Sequence, residues 1–175
     1  DTRFSVVRYG NVMGSRGSVL PFFIKLKETG ELPITDPNMT RFMISLEEGV
    51  KLVWHAFDDM QGGEIYVKKI PSMTILDIAT AVNEKATQKT IGIRPGEKIH
   101  EQMIGLEDAP HTYEYKGHYK ILPAIYNWSS DPNRNKGGVK VDENFTYSSD
   151  QNKDWMSVKG LQKWIKDNRE KIGQI

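Results

Sequence analysis

Hydrophobic and polar residues alternate along this chain with two different periods. Residues 4–9 (FSVVRY) are β-branched and aromatic and predict a short strand, followed by a glycine-bearing loop over residues 10–18. Residues 19–29 then carry apolar side chains at helical spacing, with Pro21 tolerated in the first turn and Gly30 closing the helix. Residues 31–35 predict a brief strand, and Asp36-Pro37-Asn38 a turn. Ser45 and Glu48 have capping-box spacing. Behind them, Leu46, Val50, Val53, Trp54 and Phe57 recur at helical intervals, predicting a helix to about residue 58 with that face buried. Gly62-Gly63 ends this unit and EIYVK (64–68) reads as the next strand. Residues 74–83 predict a helix with Ile75, Ile78, Ala79 and Val82 inward, and residues 90–93 a strand leading into a turn.

Past His100 the pattern loosens. Residues 113–115 and 118–121 flank Lys116-Gly117 as a hairpin would. The polar run SSDPNRNKGG (129–138) reads as a loop and the leading candidate for mobility. Ser157 caps a last helix carrying Leu161, Trp164, Ile165 and Ile172, and Trp54 and Trp164 both fall at core positions of their helices. Strands and helices alternate through residue 100, so the expected class is α/β. The chain runs from Asp1 into the first strand without an initiator Met, which reads as a buried strand cut from a longer chain, its sheet neighbours outside this sequence.

Composition narrows the chemistry. Lys and Arg total 24 against 23 Asp and Glu, so no global field draws the chain to nucleic acid or membrane. There is no cysteine, which removes disulfides, thiolate metal sites and thiol catalysis and suits a cytoplasmic setting. No apolar run approaches the ~20 residues that cross a bilayer. His55, His100, His111 and His118 lack metal-ligand spacing, so no metal site is expected.

Candidate chemistry collects in two places. IGIRPGEKIH (91–100) sets Arg94 and Glu97 three residues apart around a Pro-Gly turn, read as lying just before a helix. Such a corner suits a nucleoside diphosphate, with a guanidinium for phosphate and a carboxylate for ribose hydroxyls. The plain alternative is an exposed turn with an ion pair. The loop at residues 10–18 has glycines that permit close backbone approach, and Asn11 offers an amide to phosphate or sugar. Its spacing is not Gly-x-Gly-x-x-Gly, so glycines that merely serve a strand-to-helix turn are the competing account. Arg41 is a second candidate phosphate contact, or else a surface arginine on a strand. Gly14-Ser15-Arg16-Gly17 also matches the Gly-x-x-Gly loop of a KH domain, but it follows a strand where KH needs flanking helices.

Taken together, RFSVVRYGNVMGSRGSVLPFF, PITDPNMTRFMISLEEGVKLV, GGEIYVKKIPSM, IGIRPGEKIHEQMI and the tail FTYSSDQNKDWMSVKGL carry a specific resemblance. They resemble the C-terminal half of the UDP-N-acetylglucosamine 4,6-dehydratases, extended short-chain dehydrogenase/reductases of surface polysaccharide and flagellin glycan synthesis. The similarity is greatest to the inverting type that begins pseudaminic acid synthesis. It implies residues 1–30 as the last part of a Rossmann core, 31–122 as a substrate-binding subdomain and 123–175 as a C-terminal extension. The NADP-binding half would lie outside this chain.

By the same resemblance Asn11, Val19, Thr35, Arg41, Arg94 and Glu97 are substrate-binding. Val12, Met13, Gly14, Ser15 and Arg16 lie along NADP. The family's catalytic Asp, Lys and Tyr-x-x-x-Lys pair are absent, so these residues position a UDP-sugar and the isolated chain is expected to be inactive. A homo-oligomer is expected, with no nucleic-acid or membrane partner. The alternatives are a retaining dehydratase or UDP-hexose epimerase on the same scaffold, and a noncatalytic sugar-nucleotide-binding or assembly module.

Overall fold

The computed structural model describes residues 2–125 and 131–173. In chain order it forms β1 (Val6–Arg8), β2 (Asn11–Val12), α1 (Val19–Leu26), β3 (Glu31–Ile34), β4 (Thr40–Ile44) and α2 (Leu46–Asp59). Next come β5 (Ile65–Lys68), β6 (Ser72–Thr74), α3 (Ile75–Val82), β7 (Thr87–Thr90) and β8 (Gln102–Ile104). β9 (Thr112–Glu114), β10 (His118–Ile121), β11 (Val139–Lys140), β12 (Tyr147–Ser148) and α4 (Val158–Asp167) follow. This is the α/β class the alternation predicts.

Local chemistry explains several boundaries. α1 tightens into a 3-10 turn at Lys27–Thr29 and stops at Gly30, whose φ of 75° is left-handed. Thr74 Oγ1 accepts from Asp77 N at 3.0 Å and donates to Asp77 Oδ2 at 2.8 Å, which starts α3. Ser157 Oγ accepts from Gly160 N at 3.1 Å, as expected of the cap of α4.

The chain divides into two interleaved compact units. The first holds Asp1–Tyr9, Leu46–Ile70 and Gln102–Ser148. Its five-stranded sheet runs β1-β5-β10-β9-β11, with β1 parallel to β5 and the other pairs antiparallel. α2 crosses from β1's side to β5, placing Leu52 and Ala56 on Tyr66 with Val7 and Met60 at the margin. The hairpin of β9 and β10 lies where the sequence places it.

The second unit holds Gly10–Ser45, Pro71–Glu101 and Ser149–Ile175. β2, β4 and β6 form one small sheet, and β3 pairs with β7 in parallel. Its core joins Leu20 and Phe23 of α1, Ile34 of β3, Ile78 and Ala79 of α3, and Leu161 of α4. Trp164 and Ile165 pack on that core, as their helical spacing predicts.

Several expectations need correction. The α2 stripe of Leu46, Val50, Val53, Trp54 and Phe57 is exposed, Trp54 at 63% and Phe57 at 65%. The residues facing the sheet are Gly49, Leu52 and Ala56, of which Leu52 and Ala56 pack on Tyr66. The strand expected at residues 90–93 lies at Thr87–Thr90 instead, since Gly92 adopts φ 89° and ends the extended run. β1 sits at the end of its sheet, with Val6 exposed.

The loop expected to be mobile is anchored over residues 131–138. Arg134 donates to the buried carboxylate of Glu64 at 2.8 Å, and Lys120 Nζ donates to Arg134 O at 3.0 Å. Two of its residues, 129–130, fall outside the described set.

Candidate functional site

All of the candidate substrate and cofactor residues lie in the second unit. Asn11 opens β2, half-buried, in register with Met43 of β4. Its neighbour Gly10 owes its identity to packing: an added Cβ would stand 2.3 Å from Phe42 Cβ. β2 and β4 touch there at backbone distance, so that glycine is not there for a ligand. Met13 N donates to Ile44 O at 2.8 Å and Ser15 N to Val12 O at 3.2 Å, which folds residues 12–16 onto the strand ends. Gly14 turns with φ 80°, and Gly173 N donates to its carbonyl at 2.7 Å. Met13 and Gly14 are buried, Val12 and Ser15 half-buried and Arg16 exposed. Val19 begins α1 and Thr35 follows β3, both half-buried.

The second cluster is the turn after β7. Arg94 N donates to Glu97 Oε2 at 3.1 Å, and Glu97 N to Arg94 O at 3.1 Å. Gly96, at φ 84°, closes this turn. One carboxylate oxygen therefore shapes the turn itself. The Arg94 guanidinium is exposed and has no protein partner among the described residues. No helix follows, contrary to the expectation; the chain runs irregularly to β8 because Pro95-Gly96 and the later pairing of residue 101 hold it extended.

Arg41 behaves differently from Arg94. Its Nη1 donates to Thr40 O at 2.7 Å and Ile99 O at 3.0 Å, and its Nε lies 3.8 Å from Glu101 Oε1. Glu101 also accepts from Phe42 N at 3.1 Å, and burial raises its carboxyl above the usual range. Thr40 Oγ1 joins His100 Nδ1 at 2.9 Å and Ser149 Oγ at 2.6 Å. Arg41 thus ties the far end of the Arg94 turn to β4. Sequence reading missed this polar cluster, since Ser149 comes from 109 residues away.

No hydrogen bond or ion pair among the described residues joins Asn11 to Arg94 or Glu97. A cavity of about 590 Å³ opens elsewhere in this unit, lined by Ile24, Val82, Ile165, Lys166 and Arg169 among others, and includes none of the candidate residues. No cluster of metal-ligating side chains occurs among the described residues. Nor is any described helix long and apolar enough to cross a membrane.

Comparison with known proteins adds the context that geometry lacks. Residues 1–123 match the model of a family described as "Polysaccharide biosynthesis protein". A Campylobacter jejuni protein named UDP-N-acetylglucosamine 4,6-dehydratase (inverting) is 54% identical over 167 residues, covering 91% of this chain and 50% of that protein. A UDP-glucose 4-epimerase of Rickettsia typhi is 44% identical over 126 residues, 69% of this chain and 37% of its own length. The chain therefore spans about half the length, or less, of the curated relatives it matches. Among solved structures, that of Pen from Bacillus thuringiensis superposes with a TM-score of 0.81 at 29% identity, over 95% of this chain and 51% of that one.

Proposed function

Because the chain belongs to the polysaccharide biosynthesis protein family, we propose that it is the substrate-positioning portion of a UDP-N-acetylglucosamine 4,6-dehydratase of the C5-inverting type. The observation that carries this reading is the 54% identity to the Campylobacter jejuni dehydratase. The exposed, unpartnered Arg94 beside Glu97 supplies the chemistry at residue level. A guanidinium on a turn already braced by its own carboxylate is preorganised for a diphosphate, because little ordering remains to be done on binding. Glu97 retains one oxygen to accept a ribose hydroxyl, and Asn11 would donate toward the sugar nucleotide. Val19 and Thr35 would line the sugar, while Arg41 holds the Arg94 turn more than it contacts phosphate.

In the proposed reaction C4 loses hydride and the proton of its hydroxyl to become a ketone. C5 loses a proton and C6 a hydroxide that leave together as water. Hydride then returns to C6 while a proton returns to C5 from the opposite face. Bound NADP would supply the hydride acceptance and return. Val12, Met13, Gly14, Ser15 and Arg16 fit a wall beside that group rather than a phosphate cradle, since the Met13 and Ser15 amides are already engaged. The sequence holds no Tyr-x-x-x-Lys pair. Its contribution is alignment: remote binding of UDP converts binding energy into placement of C4.

An epimerase is the second reading, favoured by the Rickettsia relatives. The longer match to the dehydratases, 167 residues against 126, weighs against it. In a family-length protein carrying this chain, Arg94→Ala is expected to weaken UDP-N-acetylglucosamine binding by about 1.5–3 kcal/mol, the scale of a charge-assisted hydrogen bond. Calorimetry checks this, and unchanged affinity overturns the assignment.

A further inference from the structure

The cavity of about 590 Å³ in the second unit is bounded by the ends of three helices. The last turn of α1 supplies Ile24 and, at its close, Lys27, while α3 ends there with Ala81 and Val82. α4 contributes Gln162, Ile165 and Lys166, and the turn after it Arg169. Positions 162, 165, 166 and 169 recur at helical spacing, so one side of α4 and its following turn faces the opening.

The floor of the cavity is aliphatic. Ile24, Val82 and Ile165 pack against the buried core yet stay half-buried, which leaves apolar surface toward the opening. No aromatic side chain lines it, so a nucleobase would find no ring to stack on. A hydrocarbon body suits such a wall, and a space of this size is a ligand pocket rather than a packing void.

The rim carries charge of one sign. Lys27, Lys166 and Arg169 line the cavity, and no carboxylate does. Lys166 and Arg169 are exposed and make no hydrogen bond or ion pair through their side chains among the described residues. Lys27 has only exposed Glu28, at 3.4 Å, and Asp167, the one carboxylate of α4, pairs with Lys163. Basic residues at helix C-termini ordinarily answer the open carbonyls there. Here those carbonyls have other partners. Thr29 Oγ1 donates to Leu26 O at 2.7 Å, Asn83 Nδ2 to Lys27 O at 2.9 Å and Asn168 Nδ2 to Trp164 O at 2.9 Å. The cations are left to face an anion from outside the chain.

We propose that this cavity is a binding site for a soluble amphipathic anion, a single aliphatic chain ending in a phosphate. The chain lies along Ile24, Val82 and Ile165, and the head meets Lys27, Lys166, Arg169 and the Gln162 amide. A phosphate suits three cations better than the single charge of a carboxylate does. None of the candidate sugar-nucleotide residues lines the cavity, so this site stands apart from that reading.

The test is calorimetric titration of octyl phosphate, below its micelle concentration, into a family-length protein carrying this chain. Octanol and inorganic phosphate serve as the two half-ligands. The expected result is one saturable site for octyl phosphate, with each half-ligand at least about tenfold weaker. Replacing both exposed cations, Lys166→Gln with Arg169→Gln, should weaken octyl phosphate by about tenfold or more. The charge-preserving pair Lys166→Arg with Arg169→Lys should bind it as the parent does. No saturable binding, a half-ligand that matches the whole, an unaltered Gln pair or a charge-preserving pair that fails would each overturn the proposal. So would displacement by UDP-N-acetylglucosamine, which would put the amphiphile in the sugar-nucleotide site. Binding to vesicles containing phosphatidic acid but not to octyl phosphate would also overturn it, making the basic rim a membrane contact.

Discussion

Tyr115 illustrates how much one atom can decide. Its hydroxyl is buried without a hydrogen-bond partner among the described residues, while its ring stacks on His118 at 4.7 Å. An unsatisfied buried hydroxyl is a desolvation loss, so Tyr115→Phe is expected to raise stability by up to about 1 kcal/mol. A fall in the denaturation midpoint would contradict that. His118 adds a pH dependence. Burial, then His55 and Lys120, push its pKa down to about 4. The unfolded chain takes up that proton near pH 6.5 and the folded one does not, so stability falls as pH drops from about 6.5 toward 4. Denaturant titrations across that window should show the decline, and His118→Gln should flatten it. Nearby, Asp59→Ala would leave Lys120, whose side chain is 7% exposed, without its carboxylate. A loss of about 2–4 kcal/mol is expected there, reduced somewhat by the part exposure of Asp59. None of this network was legible in the sequence. Its members are 55, 59, 66, 115, 118 and 120, and they meet only because α2 packs on a sheet in which β5 and β10 are neighbours.

At the scale of elements, the period of the apolar residues located α1, α2 and α3 to within a few residues; α4 starts where expected but ends at Asp167, leaving Ile172 outside the helix predicted to carry it. Turn chemistry did the rest, as at Gly30 and Asp36. What period alone cannot give is direction. α2 has an apolar stripe and a second face of Gly49, Leu52 and Ala56, and the second faces the sheet. The larger apolar side chains mark the exposed face here. β7 slipped toward the N-terminus because a glycine with positive φ outranked the β-branched residues beside it. Gly10 offers a test of element packing. A methyl there would meet Phe42 at 2.3 Å, so Gly10→Ala should separate β2 from β4 and destabilise by about 1–3 kcal/mol. An unchanged melting temperature would refute that account of its role.

On the scale of the molecule, family membership was the most legible property, because it rests on several segments whose combination is specific. The α/β class followed from alternation. The interleaving of the two units did not, since strands separated by more than 50 residues pair within each. Joint action of Asn11 with Arg94 and Glu97 remains part of the functional proposal, carried by chemistry rather than by a bond between them. The chain by itself should form no 4-keto product from UDP-N-acetylglucosamine and NADP, because the proton-transfer groups of the proposed reaction are not among its residues. The most direct measurement is NMR of the sugar nucleotide after incubation with a family-length protein carrying this chain. The account predicts a 6-deoxy-4-keto product inverted at C5. A product that keeps its C6 hydroxyl and differs from substrate only at C4 would contradict it.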